Sequence, residues 1–293
     1  MTLKCEPLPC AYPYPAEIAC YEGSESVVVV RIGSAEQSKF HLEDDRLARE
    51  VAVALEFNGI SHATLLATPT DLEDFALGFS LTEGIIHSAN DLYDIELSER
   101  PEGIVIQAQI ASACLRELKM RRRNLAGRTG CGLCGVESLG EVRRVLPAVQ
   151  ARHEWVSTPA ILDAVAQLRA QQPLHQETGA THAAGWASLD GRLLFVREDV
   201  GRHNALDKLI GHLLREAIDP ASGFAVISSR ASFEMVQKAA AMGMSALIAV
   251  SAPTTYACAL ANDLNVMLAG FARGNAFTVY SHPEFLISHG STT

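Results

Sequence analysis

The spacing of apolar residues early in the chain predicts strands joined by tight turns. Residues 27–32 form an apolar, β-branched run, and residues 51–57 alternate between apolar and polar side chains, as a half-buried strand does. A second run at 60–67 follows Asn58-Gly59, the pair best suited to the positive φ angles of a two-residue hairpin turn. We therefore expect a strand at 27–32 and a β-hairpin over 51–67.

A helix and two further strands complete this region. Residues 70–73 (TDLE) match a capping box, and the apolar residues after them share one face of a helix that is predicted to reach about residue 83. Two strand-like runs follow, at 93–97 and 104–110. This order of elements predicts a small α+β region.

The second half of the chain has a different pattern, in which short apolar runs alternate with helical periodicity. Strands are predicted at 182–189, 193–197, 224–228, 247–250 and 277–280, and helices at 160–171, 203–218, 233–242 and 256–268. Such alternation is typical of an α/β layer whose strands pair largely in parallel.

These patterns divide the chain into four predicted parts. Residues 1–25 carry several prolines and form a flexible arm, and residues 26–112 are the smaller α+β region. Residues 113–150 are a basic segment with a glycine-rich loop, in which a short helix is predicted over 138–147. Residues 151–293 form the main α/β domain.

Composition and charge narrow the possible classes of function. The 293 residues are 48% apolar and 20% charged, which is enough to bury a core. Acidic residues outnumber basic ones by 34 to 24, and a formal net charge of −10 argues against a general nucleic-acid binder. The sequence shows neither a secretory signal nor the roughly 20 apolar residues that span a bilayer. We therefore expect a cytoplasmic protein that is not inserted in a membrane and keeps its seven cysteines reduced.

Two of these cysteines, Cys131 and Cys134, form a CxxC motif flanked by glycines. In a reducing compartment such a pair is more often catalytic or metal-binding than a structural disulfide. A structural zinc site needs four ligands. The sequence has neither a second CxxC nor a His-x₃₋₅-His motif to supply the other two. Cys114 and Cys258 could complete such a site only if the tertiary fold brings them to the CxxC motif. A thioredoxin-like pair would open a helix directly after a strand, whereas this pair lies in a glycine-rich stretch. A buried, inert pair is the remaining alternative.

A basic cluster precedes the motif. Within residues 116–128 a single acid, Glu117, stands against six basic residues: Arg116, Lys119, Arg121, Arg122, Arg123 and Arg128. Nearby positive charge favours the thiolate, which is the form that attacks a persulfide or disulfide sulfur. The cluster also fits a solvated helix face. Its position beside a CxxC in an acidic protein favours a role in thiolate formation or in docking an anionic ligand or acidic partner.

Polar loops follow three of the predicted strands. Residues 197–208 (REDVGRHNALDK) gather charged and amide side chains around Gly201, and serines and threonines occupy the junctions at 228–232 and 251–255. Such junctions lie at the carboxyl edge of an α/β sheet, where helix amino ends attract anions. Capping explains each junction singly, but three of them together predict a phosphate- or nucleotide-bearing ligand.

Zinc-deaminase chemistry is not expected. His182 is followed by two alanines, so the H-x-E general acid/base is missing, and the CxxC precedes this histidine by about 50 residues rather than following it. A deaminase-like sheet remains compatible with the pattern.

Seven stretches of the sequence together resemble the FdhD family of sulfur carrier proteins. They are DLEDFALGFSLTEGII (71–86), GRTGCGLCGVES (127–138), TGATHAAG (178–185), REDVGRHNALDKLIG (197–211), SSRASFEMVQKAA (228–240), VSAPTTYA (250–257) and FARGNAFTVYSHPE (271–284). The combination of the CxxC stretch with REDVGRHNALDK and SFEMVQKAA is highly specific, and the stretches span most of the chain from about residue 50.

The resemblance implies a fold, a reaction and site residues. Family members have a cytidine-deaminase-like, three-layer α/β domain with a smaller domain, here the α+β N-terminal region, and they form homodimers. They receive persulfide sulfur from a cysteine desulfurase and pass it to the molybdenum (or tungsten) bis(molybdopterin guanine dinucleotide) cofactor before its insertion into apo formate dehydrogenase. The family's persulfide cysteine corresponds to Cys131, and Cys134 matches the second cysteine. A segment associated with cofactor binding corresponds to Phe271, Ala272, Arg273, Gly274, Asn275 and Ala276.

The resulting hypothesis is a sulfurtransferase that binds the cofactor as a substrate and holds no permanent cofactor or metal. Cys131 and Cys134 carry the chemistry, and Arg202, His203, Ser229 and Arg230 join residues 271–276 in binding the cofactor. Two alternatives stay open. One is a cofactor-binding chaperone without sulfur transfer, and the other is a zinc-binding interaction protein.

Overall fold

The computed structural model describes residues 22–32, 40–126 and 144–287 of the chain. Its first element is a two-stranded antiparallel ribbon of β1 (Ser24–Ile32) and β2 (Phe40–Ala48). The strand predicted at 27–32 is therefore confirmed, whereas β2 was not predicted, because its sequence FHLEDDRLA does not alternate cleanly. The guanidinium of Arg46 joins the base of the ribbon to Glu177, with Nε 2.6 Å from Oε1.

A four-stranded sheet follows, in the order β4-β3-β6-β5. Its strands are β3 (Val51–Phe57), β4 (Ile60–Ala67), β5 (Leu92–Arg100) and β6 (Gly103–Ile110). The predicted hairpin is confirmed, since Asn58 and Gly59 turn between β3 and β4 with φ angles of 49° and 76°. Strands β3 and β6 pair in parallel, and the outer strands pair antiparallel to them.

Two helices accompany this sheet, α1 (Leu72–Thr82) and α2 (Ser112–Ala126). The capping box predicted at 70–73 is wrong, because the N-cap residue of α1 is Asp71, which has a φ of 52° and no side-chain capping bond. The Asp71 carboxylate lies 3.5 Å from the guanidinium of Arg197 instead of capping the helix.

The second half of the chain forms a six-stranded sheet in the order β12-β11-β10-β9-β7-β8. Its strands are β7 (His182–Ser188), β8 (Leu193–Asp199), β9 (Gly223–Ile227), β10 (Ala246–Ala249), β11 (Met267–Arg273) and β12 (Ala276–Ser281). Only β9, β10 and β11 run parallel to one another, so the expectation of largely parallel pairing is wrong for the outer strands. Short turns link β7 to β8 and β11 to β12, and a short turn allows only antiparallel neighbours.

Helices lie on both faces of this sheet. They are α3 (Thr158–Ala170), α4 (Pro173–Thr178), α5 (Arg202–Arg215), α6 (Phe233–Met242) and α7 (Thr255–Asp263). Phe224 and Val226 of β9 face the side of α3, while the alternating Ala225 and Ile227 face α5, α6 and α7. The expected α/β class is confirmed, and the likeness to cytidine deaminases stays an expectation.

Two predicted helices differ from the structure. The helix predicted over 256–268 ends at Asp263, and the chain reverses at Asn265, which has a φ of 55°, before β11 begins. A short, fully buried apolar run does not distinguish a helix from a strand, which explains the error. Of the helix predicted over 138–147, residues 144–147 are not helical and the remainder lies outside the described residues.

The two halves of the chain share one continuous hydrophobic core, because α1 packs between the four-stranded sheet and α5. The two helices cross at two glycines. A Cβ on Gly78 would lie 1.8 Å from the carbonyl oxygen of Asp207, and a Cβ on Gly211 would lie 1.8 Å from that of Asp74. Only glycine permits this backbone approach.

Candidate functional site

Loops from several elements meet at the carboxyl ends of β9, β10 and β11. The hydroxyl of Ser228, after β9, accepts a hydrogen bond of 2.9 Å from the amide of Ala183 near the start of β7. A parallel bridge joins the loops after β9 and β10. The amide of Phe271 in β11 donates to the carbonyl of Ser251 at 3.1 Å. These bonds join the loops into one surface, which we call the sheet-edge site.

The predicted ligand-binding residues Arg202 and His203 occupy the first turn of α5 at this site, after the N-cap residue Gly201. Both side chains are half-buried. His203 Nε2 lies 2.9 Å from Oε2 of Glu234 in the first turn of α6, and the hydroxyl of Ser232 donates to the same oxygen at 3.1 Å. Sequence reasoning did not single out Glu234, because only the packing of α6 beside α5 brings it to His203.

The histidines of the sheet-edge site are poor bases. Burial lowers the pKa of His203, and although Glu234 opposes this effect, the charge of Arg202 adds to it. Burial and Arg202 also lower the pKa of His182 at the start of β7. Both pKa values therefore lie below the ordinary 6.5, so the arginines supply the positive charge of the site at neutral pH.

Ser229 and Arg230 follow β9 at the same edge, as predicted. The Ser229 side chain is nearly buried, and its hydroxyl donates to the backbone carbonyl of Arg230 at 3.1 Å. The Arg230 side chain is exposed. A ligand from solution can therefore meet the Arg230 guanidinium directly. A ligand role for Ser229 stays a prediction.

The predicted segment 271–276 spans the end of β11, a tight turn and the start of β12. Phe271 has a left-handed φ of 53°, which is uncommon for a bulky residue, at a register shift between the two strands. Its ring is half-exposed, and the side chains of Arg273 and Asn275 are also exposed. The Ala272 methyl group is fully buried in the core on the α3 side of the sheet. The backbone at Phe271 is thus held in a sparsely populated conformation beside the sheet-edge site.

Other polar residues of the REDVGRHNALDK stretch point away from solvent. Asp199 is fully buried and accepts hydrogen bonds from the amides of Thr68, at 3.0 Å, and Gly201, at 2.7 Å. Lys208 is also fully buried, with Nζ 2.7 Å from Asp199 and 2.9 Å from the Thr68 carbonyl. Burial lowers the pKa of Lys208, and Asp199 opposes that effect. Asp199 and Lys208 therefore join α5 to Thr68, directly after β4 of the four-stranded sheet, and do not face the sheet-edge site.

A second buried network connects α1, α5 and α6. Lys238 Nζ lies 2.9 Å from Asp207, 2.8 Å from Glu83 and 2.9 Å from the hydroxyl of Thr82. Burial alone would lower the pKa of Lys238, but the two carboxylates outweigh it and raise that pKa. Burial also raises the pKa of Asp207 against the effect of Lys238. Because one ammonium lies between two carboxylates, we treat Lys238 as charged and the network as a structural ion cluster.

The predicted persulfide cysteines, Cys131 and Cys134, lie outside the described residues, as does Arg128. Of the other cysteines, Cys114 is buried and Cys258 is half-buried, and both are free thiols. Within the described ranges, no group of three or more histidine, cysteine, aspartate or glutamate side chains could hold a metal ion. In the same ranges, none of the helices has the length and apolar character needed to cross a membrane.

Known proteins resemble this chain in sequence and in fold. A protein of Bordetella petrii named sulfur carrier protein FdhD is 55% identical over 278 residues, which cover 94% of this chain and 97% of its own length. One of the same name from Cupriavidus necator is 56% identical over 245 residues, or 84% of this chain and 85% of its own.

A solved structure has a similar fold. It is described as a putative formate dehydrogenase accessory protein from Desulfotalea psychrophila, with a TM-score of 0.65, 23% identity, and coverage of 90% of this chain and 98% of its own. At that identity the likeness concerns the fold alone. The sequence model of the FdhD/NarQ family matches residues 48–287. The chain therefore belongs to the FdhD/NarQ family.

Proposed function

We propose that this protein is a sulfur carrier for formate dehydrogenase maturation and acts as a sulfurtransferase. The observation that carries the proposal is the similarity, over most of the chain, to relatives named sulfur carrier protein FdhD. The proposed donor is a cysteine desulfurase and the proposed recipient is apo formate dehydrogenase. The exchange is placed in the cytoplasm, with the carrier as a homodimer.

In this proposal Cys131 receives a sulfane sulfur as a persulfide. The thiolate of Cys134 then attacks the inner sulfur of that persulfide. The S–S bond breaks, its electron pair leaves with the terminal sulfur as hydrosulfide, and a Cys131–Cys134 disulfide forms. A cellular thiol reductant restores the two thiols. The step supplies sulfur at the oxidation level of sulfide, which is the form that a metal centre takes as a ligand.

The sheet-edge site is the proposed binding site for the acceptor, the molybdenum (or tungsten) bis(molybdopterin guanine dinucleotide) cofactor. The first turns of α5 and α6 start at this edge without a side-chain capping bond, and the backbone N–H groups of a helix start favour phosphate. Arg202, Arg230 and Arg273 add positive charge in a protein whose net charge is −10. This concentration of cationic and N–H donors fits a ligand that carries several phosphates.

Intact-mass measurement tests the sulfur-carrier step. The protein is incubated with a cysteine desulfurase and cysteine, without added reductant, and compared with Cys131→Ala and Cys134→Ala. We expect Cys134→Ala to gain the mass of one sulfur, the wild type to show that adduct together with the disulfide that is lighter by two hydrogens, and Cys131→Ala to show neither. An unchanged adduct in Cys131→Ala would remove the assignment to Cys131. A Cys134→Ala protein that gains no sulfur would favour a chaperone without sulfur transfer, because its persulfide cannot be lost to a Cys131–Cys134 disulfide.

Calorimetric titration with GDP, used as a probe for the guanine nucleotide part of the cofactor, tests the sheet-edge site. Arg230→Gln and Arg273→Gln should each weaken binding about tenfold, the effect of losing one charge-assisted hydrogen bond of about 1.5 kcal/mol. Arg192→Gln is the matched control, because Arg192 is an exposed arginine in the turn between β7 and β8, at the opposite edge of the sheet. Equal affinity in all three variants would contradict the assignment.

A further inference from the structure

The carbonyl end of α1 is capped by two arginines that flank the CxxC motif in sequence. Arg121 of α2 donates from Nη1 to the Glu83 carbonyl at 3.3 Å and from Nη2 to the Gly84 carbonyl. Arg144 donates from Nη1 to the Leu81 carbonyl at 3.2 Å and also to that of Thr82. We call this pair, with the carbonyls of residues 81–84, the arginine anchor.

Local electrostatics explain why two guanidiniums share this place. The last carbonyls of a helix have no partner within the helix and carry the negative end of its dipole, so they attract cations. Burial lowers the pKa of Arg144, the Glu83 carboxylate opposes this effect, and the charge of Arg121 adds to it. Carbonyl groups and a carboxylate thus compensate the repulsion between the two arginines.

Gly84 makes room for the anchor. It has a φ of 65°, and a Cβ at this position would lie 2.3 Å from Nη2 of Arg144. The backbone amide of Arg144 also donates to Oε1 of Gln237 on α6, at 2.8 Å. Arg144 is therefore held from two sides: its side chain binds the carbonyls of α1, and its backbone amide binds α6.

The anchor lies close to the sheet-edge site along α6. Gln237 follows Glu234, the partner of His203, by three residues, which is about 4.5 Å along a helix axis. The chain leaves α2 after Ala126, five residues beyond Arg121, and Arg144 lies against Gln237 of α6, one helical turn after the first turn of α6 at the sheet-edge site. The 22 residues between the two arginines, 122–143, include both cysteines of the CxxC motif.

We propose that Arg121 and Arg144 are positioning residues for sulfur transfer, which hold the chain on both sides of the cysteine-bearing segment against the carbonyl end of α1, close to the sheet-edge site. The proposal rests on the proposed sulfur-carrier function. Tethering both ends raises the effective concentration of a segment near its target, and releasing either end lowers that concentration without changing any reacting atom. The sequence had suggested instead that Arg121 biases the thiolate or guides the anionic cofactor.

Separating the loading of sulfur from its delivery tests this role. Arg121→Gln and Arg144→Gln are loaded with a cysteine desulfurase and followed by intact mass, and the same variants are tested for formate dehydrogenase activation in cells lacking their own carrier. We expect loading within about twofold of wild type and activation lowered about tenfold or more, because only delivery depends on where the segment is held.

Arg100→Gln is the matched control, since Arg100 is an exposed arginine at the end of β5, outside the basic cluster and the sheet-edge site. It removes the same charge and should change neither readout. If the two anchor variants and the control lower activation equally, the loss comes from a general charge effect and the positioning role is wrong. A proportional fall in loading and activation would also overturn the positioning role, because the arginines would then act on the thiolate.

A second variant and a readout independent of activity keep the test decisive. Gly84→Ala displaces the Arg144 guanidinium without removing it and should reproduce Arg144→Gln, whereas Gly59→Ala, with a φ of 76° and open space around it, should not. Limited proteolysis should cut residues 122–143 faster in Arg144→Gln and Gly84→Ala than in wild type. If Cys134→Ala takes up no sulfur, the proposed function fails while proteolysis still tests the anchor. Unchanged cleavage would show that the anchor does not hold the segment.

Discussion

Replacing Gly78 by alanine would test the close approach of α1 and α5. In an ordinary helix, glycine to alanine is stabilising by about 1 kcal/mol. Here the new Cβ would lie 1.8 Å from the Asp207 carbonyl oxygen and 2.8 Å from the amide nitrogen of Gly211. Both atoms belong to the backbone, so no side-chain rotation relieves the clash. The helices must separate by about 1.7 Å to reach a normal contact distance of about 3.5 Å.

The expected cost follows from what that separation disturbs. Overpacking in a filled core costs about 1–3 kcal/mol. The same movement stretches the hydrogen bond of 2.7 Å between Thr82 and Asp207, both of which are buried. Breaking such a bond adds about 1 kcal/mol. After the propensity gain of about 1 kcal/mol is subtracted, we expect a net loss of about 2 kcal/mol and a Tm lowered by about 4–8 °C.

Urea and thermal unfolding followed by circular dichroism measure this loss. Gly211→Ala should behave similarly, because its Cβ would lie 1.8 Å from the Asp74 carbonyl. The double variant should lose much less than the sum of the two single losses, since one separation relieves both clashes. Gly59→Ala is a control without a clash, because its added Cβ meets nothing within 4 Å, and its smaller loss of about 1 kcal/mol should reflect only the φ of 76°. A Gly78→Ala protein as stable as wild type would refute the glycine crossing.

Three further outcomes follow from the buried groups. Lys238→Met should lower the unfolding free energy by about 3–5 kcal/mol, because it leaves Asp207 buried without its cation, and adding Asp207→Asn should recover part of that loss. Burial lowers the pKa of three histidines in the folded state: His182, His203 and His212. The unfolded chain therefore binds more protons as the pH falls below about 6.5, so the unfolding free energy should decrease from pH 7 to pH 5, and a flat profile would contradict this. Burial raises the pKa of Cys114, so iodoacetamide at neutral pH should modify it slowly until denaturant is added, as read by peptide mass spectrometry.

Local sequence patterns predicted an element correctly where its own residues determine its structure. The hairpin over 51–67 follows from Asn58-Gly59, and α6 occupies residues 233–242 as its periodicity predicts. The motifs that indicated the family were read in the same way, and the match to residues 48–287 confirms that family. In each case the information lies within a short window of the chain.

The roles of single polar residues could not be read in this way. Asp199 and Arg202 stand three residues apart in one motif, yet Asp199 is buried against Thr68, 131 residues earlier in the chain, and Arg202 faces the sheet-edge site. The sequence likewise placed Arg121 in a basic cluster without indicating that the carbonyls of residues 83 and 84 are its partners. Nothing in the neighbouring residues distinguishes a buried ion-pair partner from a ligand-binding side chain.

The sequence by itself thus determined the family, the fold class and most helices and strands, because periodicity, turn residues and motifs are local properties. Only the tertiary structure decided which polar residues are buried, that Glu234 contacts His203, and that Gly78 and Gly211 must be glycine. It also decided that the last helix ends at Asp263, short of the predicted residue 268, and that β11, which the sequence did not predict, begins at Met267. These outcomes depend on which distant segments meet, since burial and charge pairing are set by packing between elements rather than by the preferences of adjacent residues.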